Sequence, residues 1–333
     1  MRVLVVEPGP WFSVKDVCDG WVSGLREAGC QVVTFNLGDR LDFYSNALLE
    51  RFGETRRAFN DEAAAALACK GVEAACYEFW PDVVLVVSGF FLQPAHYELM
   101  RQRGHKVVLV HTESPYEDDR QVPRAEHATL NILNDPTNIG RFPPGTVYLP
   151  HAYDPARHHP RSAVAGYESE FCFVGTGYPS RVEFFEKVDW SGIDVTLAGN
   201  WLATDENSPL RTFLAHPVEQ CCPNDTTAEL YASTFTSCNL YRREATDTHE
   251  GWAIGPREVE LAACGTWFAR EPRVEGDKIF PMLPTFTTPA ELGDVIRWAL
   301  ANPDARAEAV KAARAAVADR TFANNAKRML ALL

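Results

Sequence analysis

Residues 249–271, HEGWAIGPREVELAACGTWFARE, run from charge through a Gly-Pro pair into a helical stretch and out again into an apolar, β-rich one. The pattern predicts a helix over 256–264 and a strand over 265–271, so a helix hands its chain directly to a buried strand, as in a layered α/β unit. Gly255-Pro256 leaves free backbone N–H groups at the helix start, where the helix dipole favours an anion such as a diphosphate. Arg257 adds a forked donor for phosphate oxygens. Glu260, slightly further along, is suited to accept hydrogen bonds from two vicinal ribose hydroxyls. The same residue types also fit a solvated helix start at which Glu258 and Glu260 only complement the dipole.

Moving outward, the alternation repeats. FCFVGTG (171–177), DVTLAGN (194–200) and FTSCNLY (235–241) read as strands, with helices near 179–188 and 225–233. In the first half RVLVVE (2–7), QVVTFN (31–36), DVVLVVS (82–88) and KVVLVHT (106–112) are near-continuous apolar runs, the pattern of parallel strands covered on both faces. ATLNILN (128–134) and TVYLP (146–150) extend the series more weakly. Helices are expected at about 16–28, 54–79 and 93–103, the first and last ending at Gly29 and Gly104. HAYDPARHHPRSAVAGYESE (151–170) has proline, glycine and no periodicity, and reads as a linker. The expected organisation is 1–150, a linker at 151–170, 171–302, and a helical tail at 303–333. At 333 residues two domains of about 150 residues are also the prior from length.

Apolar residues make up 46% of the chain and charged residues 23%, an ordinary soluble composition. A net charge of −13 disfavours non-specific attraction to nucleic acid or to anionic membrane. The nine cysteines, with no CxxC pair, fit reduced thiols in a cytoplasmic protein. MRVLVVEPGPW is too short in its apolar part for a signal peptide, and no run approaches the roughly 18 residues of a membrane helix.

Arg257, Glu260, Ala263, Cys264 and Gly265 together resemble the nucleotide-site helix of GT-B glycosyltransferases, in particular the CgeB-like group. FVGTGYPSR (173–181) resembles the first strand and glycine turn of the family's nucleotide domain, LAGNW (197–201) its second strand end, YLPHAYDP (148–155) its interdomain strand, and TFANNAKRMLALL its last helix. The resemblance implies an α/β, GT-B-like chain: two Rossmann-like, doubly wound domains facing a cleft, with the 303–333 helices crossing back to the N-terminal domain. It implies a glycosyltransferase, hexosyl- or pentosyl-, that moves a sugar from a nucleotide-sugar donor to an acceptor hydroxyl without a bound metal or other cofactor. Gly175 and Gly177 would admit phosphate to the backbone, Arg181 would point at the diphosphate, Asn200 and Trp201 would meet the base, and Arg257 and Glu260 would hold diphosphate and ribose. The superfamily's glutamate pair has seven residues between its members, as Glu250 and Glu258 do, but anchoring on ACGT puts Trp252 at the first position and Glu260 at the second. A nucleotide-sugar epimerase, a non-catalytic nucleotide-sugar binding protein and, as a subclass, a DNA-modifying glycosyltransferase are the competing readings.

In the first half, EPGPWF (7–12) follows the first strand and makes a rigid turn at Gly9 near which an acceptor could lie. HTESPYEDDRQ (111–121) follows the fourth long strand. Glu113, His111 and Asp118, in that order, are candidate general bases for the acceptor hydroxyl. The loop fits equally a solvated acidic turn with a helix cap at Ser114. His158 and His159 lack partners at metal-ligand spacing.

Overall fold

The computed structural model describes residues 1–9, 12–244 and 250–333. Pro10 and Trp11 of the EPGPWF turn, and His249 of the GPRE stretch's lead-in, lie outside the described residues. Two compact units are present: Met1–Pro150 with Phe322–Leu333, and His151–Thr321.

The first unit runs β1 (Arg2–Val6), α1 (Phe12–Glu27), β2 (Gln31–Phe35), α2 (Leu37–Ser45), β3 (Leu48–Arg51), β4 (Glu54–Arg57), α3 (Asp61–Phe79), β5 (Val83–Val87), α4 (Pro94–Gln102), β6 (Lys106–His111), α5 (Asp118–Ala125), β7 (Leu130–Leu133) and β8 (Val147–Tyr148). Six strands form one parallel sheet in the order β2-β1-β5-β6-β7-β8. Its central strands are valine- and leucine-rich and buried along their length, as strands covered on both faces must be. The helix expected over 54–79 starts only at Asp61. Asn60 caps it, its side chain accepting the Ala63 N–H at 2.8 Å. The residues before it, with Phe52 and Gly53 both at positive φ, fold instead into the β3–β4 hairpin around a two-residue turn.

The second unit contains β9 (Ser169–Val174), α6 (Pro179–Glu186), β10 (Val195–Ala198), α7 (Asn224–Ser233), β11 (Thr234–Asn239), α8 (Pro256–Cys264), β12 (Trp267–Arg270), α9 (Val274–Ile279), α10 (Pro289–Ala301) and α11 (Pro303–Ala316). Its four strands are all parallel, in the order β10-β9-β11-β12. An aromatic group of Phe171, Phe173, Phe185 and Trp201 fills the space under one face. The stretch expected as a linker packs within this unit: Arg157 Nε lies 2.6 Å from Asp225 Oδ1, and buried His158 faces Asn224 at 3.4 Å.

Of the tail expected to cross back as a whole, α11 stays with the second unit and only α12 (Phe322–Ala331) belongs to the first. Glycine explains the docking of α12 on α1. A Cβ at Gly24 would sit 2.4 Å from the Phe322 carbonyl carbon, and one at Gly20 would sit 2.2 Å from the Phe322 ring, so only glycine admits this close an approach.

Candidate nucleotide-sugar site

In open α/β sheets ligands bind beyond the carboxyl ends of the strands where strand order reverses. In the second sheet the reversal falls between β9 and β11, because β10 lies on one side of β9 and β11 on the other. The residues leaving these strands are Gly175 and Leu240.

Two arginines span that point. Arg257, in the first turn of α8, donates from Nε and Nη2 to the Val174 carbonyl (3.0 and 2.9 Å) and from Nη1 to Asn239 Oδ1 (2.7 Å). Its guanidinium lies 4.3 Å from the centre of the Phe173 ring. Arg181, in α6, donates from Nε to the Leu240 carbonyl and from Nη1 to the Thr176 carbonyl. Among the described residues neither arginine has a carboxylate within ion-pair distance, and Arg181 Nη2 makes no hydrogen bond. Arg181 is almost wholly buried. That burial, with Arg257 as a like-charged neighbour, brings its pKa down to about 9. Arg257, expected to point its fork at phosphate, thus turns much of it onto β9 and β11 and braces the strand ends.

The glycines admit side chains as well as ligand. A Cβ at Gly175 would meet Arg257 Nη2 at 2.4 Å, and one at Gly177 would meet the Trp201 ring at 2.3 Å. Gly199, which follows β10, has a φ of +102° and would drive a Cβ to 2.4 Å from the Gly175 carbonyl oxygen. Asn200 turns its Oδ1 back to the Leu202 N–H at 3.1 Å. Trp201, expected as a base contact, is instead fully buried core, with its indole N–H on the Ala198 carbonyl. Its ring is the surface on which Gly177 and Phe173 pack.

The carboxylates divide sharply. Glu260 is half-buried, its Oε1 3.9 Å from His158 Nε2. Glu258, expected either on a solvated face or as half of a superfamily pair, is fully buried. Its Oε2 accepts from Gly255 N–H (2.7 Å), Asn239 Nδ2 (2.8 Å) and the Tyr241 hydroxyl (2.5 Å). Glu258 is the third residue of α8, and its bond back to Gly255 is the glutamate half of a capping box, a spacing visible in GPRE. Burial outweighs these hydrogen bonds and pushes its carboxyl up to about 7. Glu271 accepts from Tyr241 N–H and Arg243, and buried Glu275 accepts from Ile254 N–H and Arg320. Three glutamates therefore fasten the two described ends of the β11–α8 connection. Beside it lies a pocket of about 570 Å³ whose walls include Arg242, Arg243, Arg273, Glu250 and Glu271, which places Glu250 on a pocket wall.

In the first unit strand order reverses between β1 and β5. Gly9 lies in the loop after β1, with φ +95°, and a Cβ there would meet Phe91 at 2.7 Å. His111, the last residue of β6, is fully buried. Its Nε2 faces Asn131 Oδ1 at 2.9 Å, and since the Asn131 amide donates to the Ala125 carbonyl, Nε2 carries the proton. Nδ1 is left as a buried acceptor with no partner among the described residues. Burial, and secondarily Arg124, brings the imidazole pKa down to about 4, so it is neutral at pH 7. Asp118 is buried too, held by Gln121 (3.3 Å) and Asn138 (2.7 Å), and Gln121 also accepts the Glu113 N–H at 3.3 Å. Ser114 is no helix cap. It is buried, its hydroxyl has no partner among the described residues, and α5 begins four residues later. The loop is thus a packed structure, with Glu113 half-buried within it and Asp119 at its surface.

Among the described residues no cluster of three or more histidine, cysteine, aspartate or glutamate side chains could hold a metal ion, and no helix is long and apolar enough to cross a membrane. All nine cysteines are free.

Residues 181–331 match the family model described as glycosyl transferase-like. No curated protein matches the sequence. Among solved structures the chain is similar to sucrose-phosphate synthase from Thermosynechococcus elongatus (13% identity, TM-score 0.66, covering 100% of this chain and 98% of that one). It is similar also to AviGT4, a glycosyltransferase involved in avilamycin A biosynthesis (17%, 0.65, 100% and 96%). A third is a protein assigned as UDP-N-acetylglucosamine 2-epimerase from Listeria monocytogenes (12%, 0.61, 99% and 95%). With two Rossmann-like units of parallel sheet and this likeness along its whole length, the chain has the GT-B fold, and its C-terminal part carries the glycosyl transferase-like signature.

Proposed function

We propose that this protein is a metal-independent glycosyltransferase of the CgeB-like group, cytoplasmic, using a nucleoside diphosphate sugar. The observation that carries the reading is the pair of arginines that have no carboxylate partner among the described residues, at the strand-order reversal of the second sheet. A buried cation such as Arg181, left without a counter-ion beside half-buried Arg257, is unfavourable, and a diphosphate supplies the missing charge. In this reading Arg181 binds the diphosphate through its free Nη2. The N-terminus of α8 adds its dipole, with Arg257 bracing the strand ends around it. Glu260 accepts from the ribose hydroxyls, and Glu258 keeps Tyr241 and Gly255 in place.

The acceptor belongs to the first unit. Its hydroxyl oxygen bonds to the anomeric carbon as the bond from that carbon to the diphosphate oxygen breaks. The electron pair leaves on the diphosphate, stabilised by the arginines and the helix dipole, and the acceptor proton passes to Glu113. His111 and Asp118 are the next candidates for that base. The fold also supports an epimerase, which needs no acceptor. Incubating the protein with a panel of nucleotide sugars in a chelator, with and without hydroxyl-bearing acceptors, separates the two. Release of nucleoside diphosphate that depends on acceptor supports transfer, and conversion of the donor sugar without acceptor overturns it.

A further inference from the structure

The β3–β4 hairpin stands apart from both parallel sheets as a two-stranded sheet of its own. Every residue of both strands is exposed, and Phe52 at the turn is 91% exposed. A lone hairpin without a packed face is marginal in water, and an unguarded strand edge is a template for another strand. The edge is charged, Glu-Thr-Arg-Arg on β4 and Glu50-Arg51 at the end of β3, so a strand that pairs with it must oppose those charges with complementary ones.

The register decides which edge is usable. Leu48 pairs with Arg57, Leu49 with Arg56, Glu50 with Thr55 and Arg51 with Glu54, and the Ala58 N–H bonds to the Ala47 carbonyl at 2.7 Å. Hydrogen-bonded pairs alternate along an antiparallel ladder, so Leu49–Arg56 and Arg51–Glu54 bond inward. The N–H and C=O of Thr55 and Arg57 on β4, and of Leu48 and Glu50 on β3, therefore point out from the hairpin.

We propose that the outer edge of β4 is a self-association surface, on which two copies of this chain pair antiparallel about a two-fold axis through Thr55. Such a dyad is isologous, so each contact occurs twice. Thr55 meets the partner copy's Thr55 in a hydrogen-bonded pair, and Glu54 lies opposite the second copy's Arg56 on both sides of the axis. Among the described residues neither Glu54 nor Arg56 has an ion-pair partner within its own chain, so both charges are available. On β3 a dyad through Glu50 would set that carboxylate against itself and one through Leu48 would oppose no charges, whereas the β4 dyad pairs Glu54 with Arg56 twice, which favours β4. The result is one four-stranded antiparallel sheet shared by two chains, with three or more strands being what an isolated hairpin lacks.

Charge exchange tests this directly, with oligomeric state measured by sedimentation velocity over a range of concentrations. The wild-type protein is expected to form a dimer. Glu54→Arg sets arginine against arginine twice and is expected to raise the dimer dissociation constant about tenfold or more, from the scale of cross-strand charge pairs. Glu54→Arg with Arg56→Glu restores the opposition with signs reversed and is expected to restore the dimer. Thr55→Pro removes the outward N–H without touching the hairpin's own ladder and is expected to give a monomer. A wild-type monomer at all concentrations, or a dimer indifferent to all three variants, overturns the proposal. So does a monomer that sediments with lipid vesicles in a Phe52-dependent way, which would give the hairpin to a membrane instead.

Discussion

The two strand-order reversals of this molecule share one device, an arginine donating to strand-end carbonyls (Arg124 onto Gly89 and Phe90 beyond β5, Arg257 onto Val174 beyond β9), and differ in the groups around it. In the second unit the point between β9 and β11 is crossed by two arginines that share the Phe173 ring and have no carboxylate partner among the described residues. In the first unit the point between β1 and β5 is bordered by a glycine turn and by Glu7, whose carboxyl burial raises above its ordinary range. The strand ends add neutral His111 and the hydroxyls of Ser88 and Thr112, each with a buried polar atom that has no partner among the described residues. One end suits an anion. In the proposed reading the other end, where Arg124 is turned onto the strand-end carbonyls, takes the acceptor hydroxyl. On that reading the same parallel-sheet scaffold takes a diphosphate at one end and an acceptor hydroxyl at the other, because the residues after each strand differ while the strands do not.

The contrast can be broken most forcefully in the first unit. If Glu113 takes the acceptor proton, Glu113→Gln slows transfer about 10²–10⁴-fold with donor affinity unchanged. Equal loss of donor binding, measured by calorimetry, would erase the division of labour between the two ends.

The next largest effect concerns Glu258. Its folded pKa of about 7 lies above the ordinary 4.5, so its contribution favours the folded state fully below pH 4.5 and is lost as pH rises through 7. The expected swing is up to about 3 kcal/mol, at 1.36 kcal/mol per pKa unit. Glu258→Gln should flatten the stability profile between pH 4.5 and 8 in denaturant titrations. An unchanged profile would mean the carboxyl is not held as described. Glu260→Ala should weaken nucleotide-sugar binding by about 1–3 kcal/mol with little change in melting temperature, the cost of hydrogen bonds to a charged acceptor.

Much of this architecture is legible in the sequence. Runs such as VLVV at 84–87 can only be covered strands, and the GPRE…ACGT stretch lies on α8 and β12 within a residue or two of the expected ends. The hairpin at 48–57 was hidden because its signal is conformational: Phe52 adopts a positive φ that its residue type does not advertise. The roles of individual site residues were less visible, since residue type does not reveal direction. Trp201 and Arg257 face inward onto Gly177 and the end of β9, where a bound nucleotide was expected. Glu258 carried a readable signal, its capping-box spacing, but its burial comes from Asn239 and Tyr241 on a different strand end. The tail divides at Thr321 because α12 alone meets the glycine face of α1.

The central claim is that the second reversal point holds a diphosphate through Arg181. Calorimetry with a matched nucleoside and nucleoside diphosphate, on the wild-type protein and on Arg181→Met, tests it most directly. The wild-type protein should bind the diphosphate about 10–100-fold more tightly than the nucleoside, the scale of hydrogen bonds between charged groups. Arg181→Met should lose most of that difference while the ligand-free protein keeps its melting temperature or gains, since a buried cation beside another has been removed. A diphosphate preference that survives intact in a folded Arg181→Met protein, or no preference in the wild type for any base tried, would contradict the account.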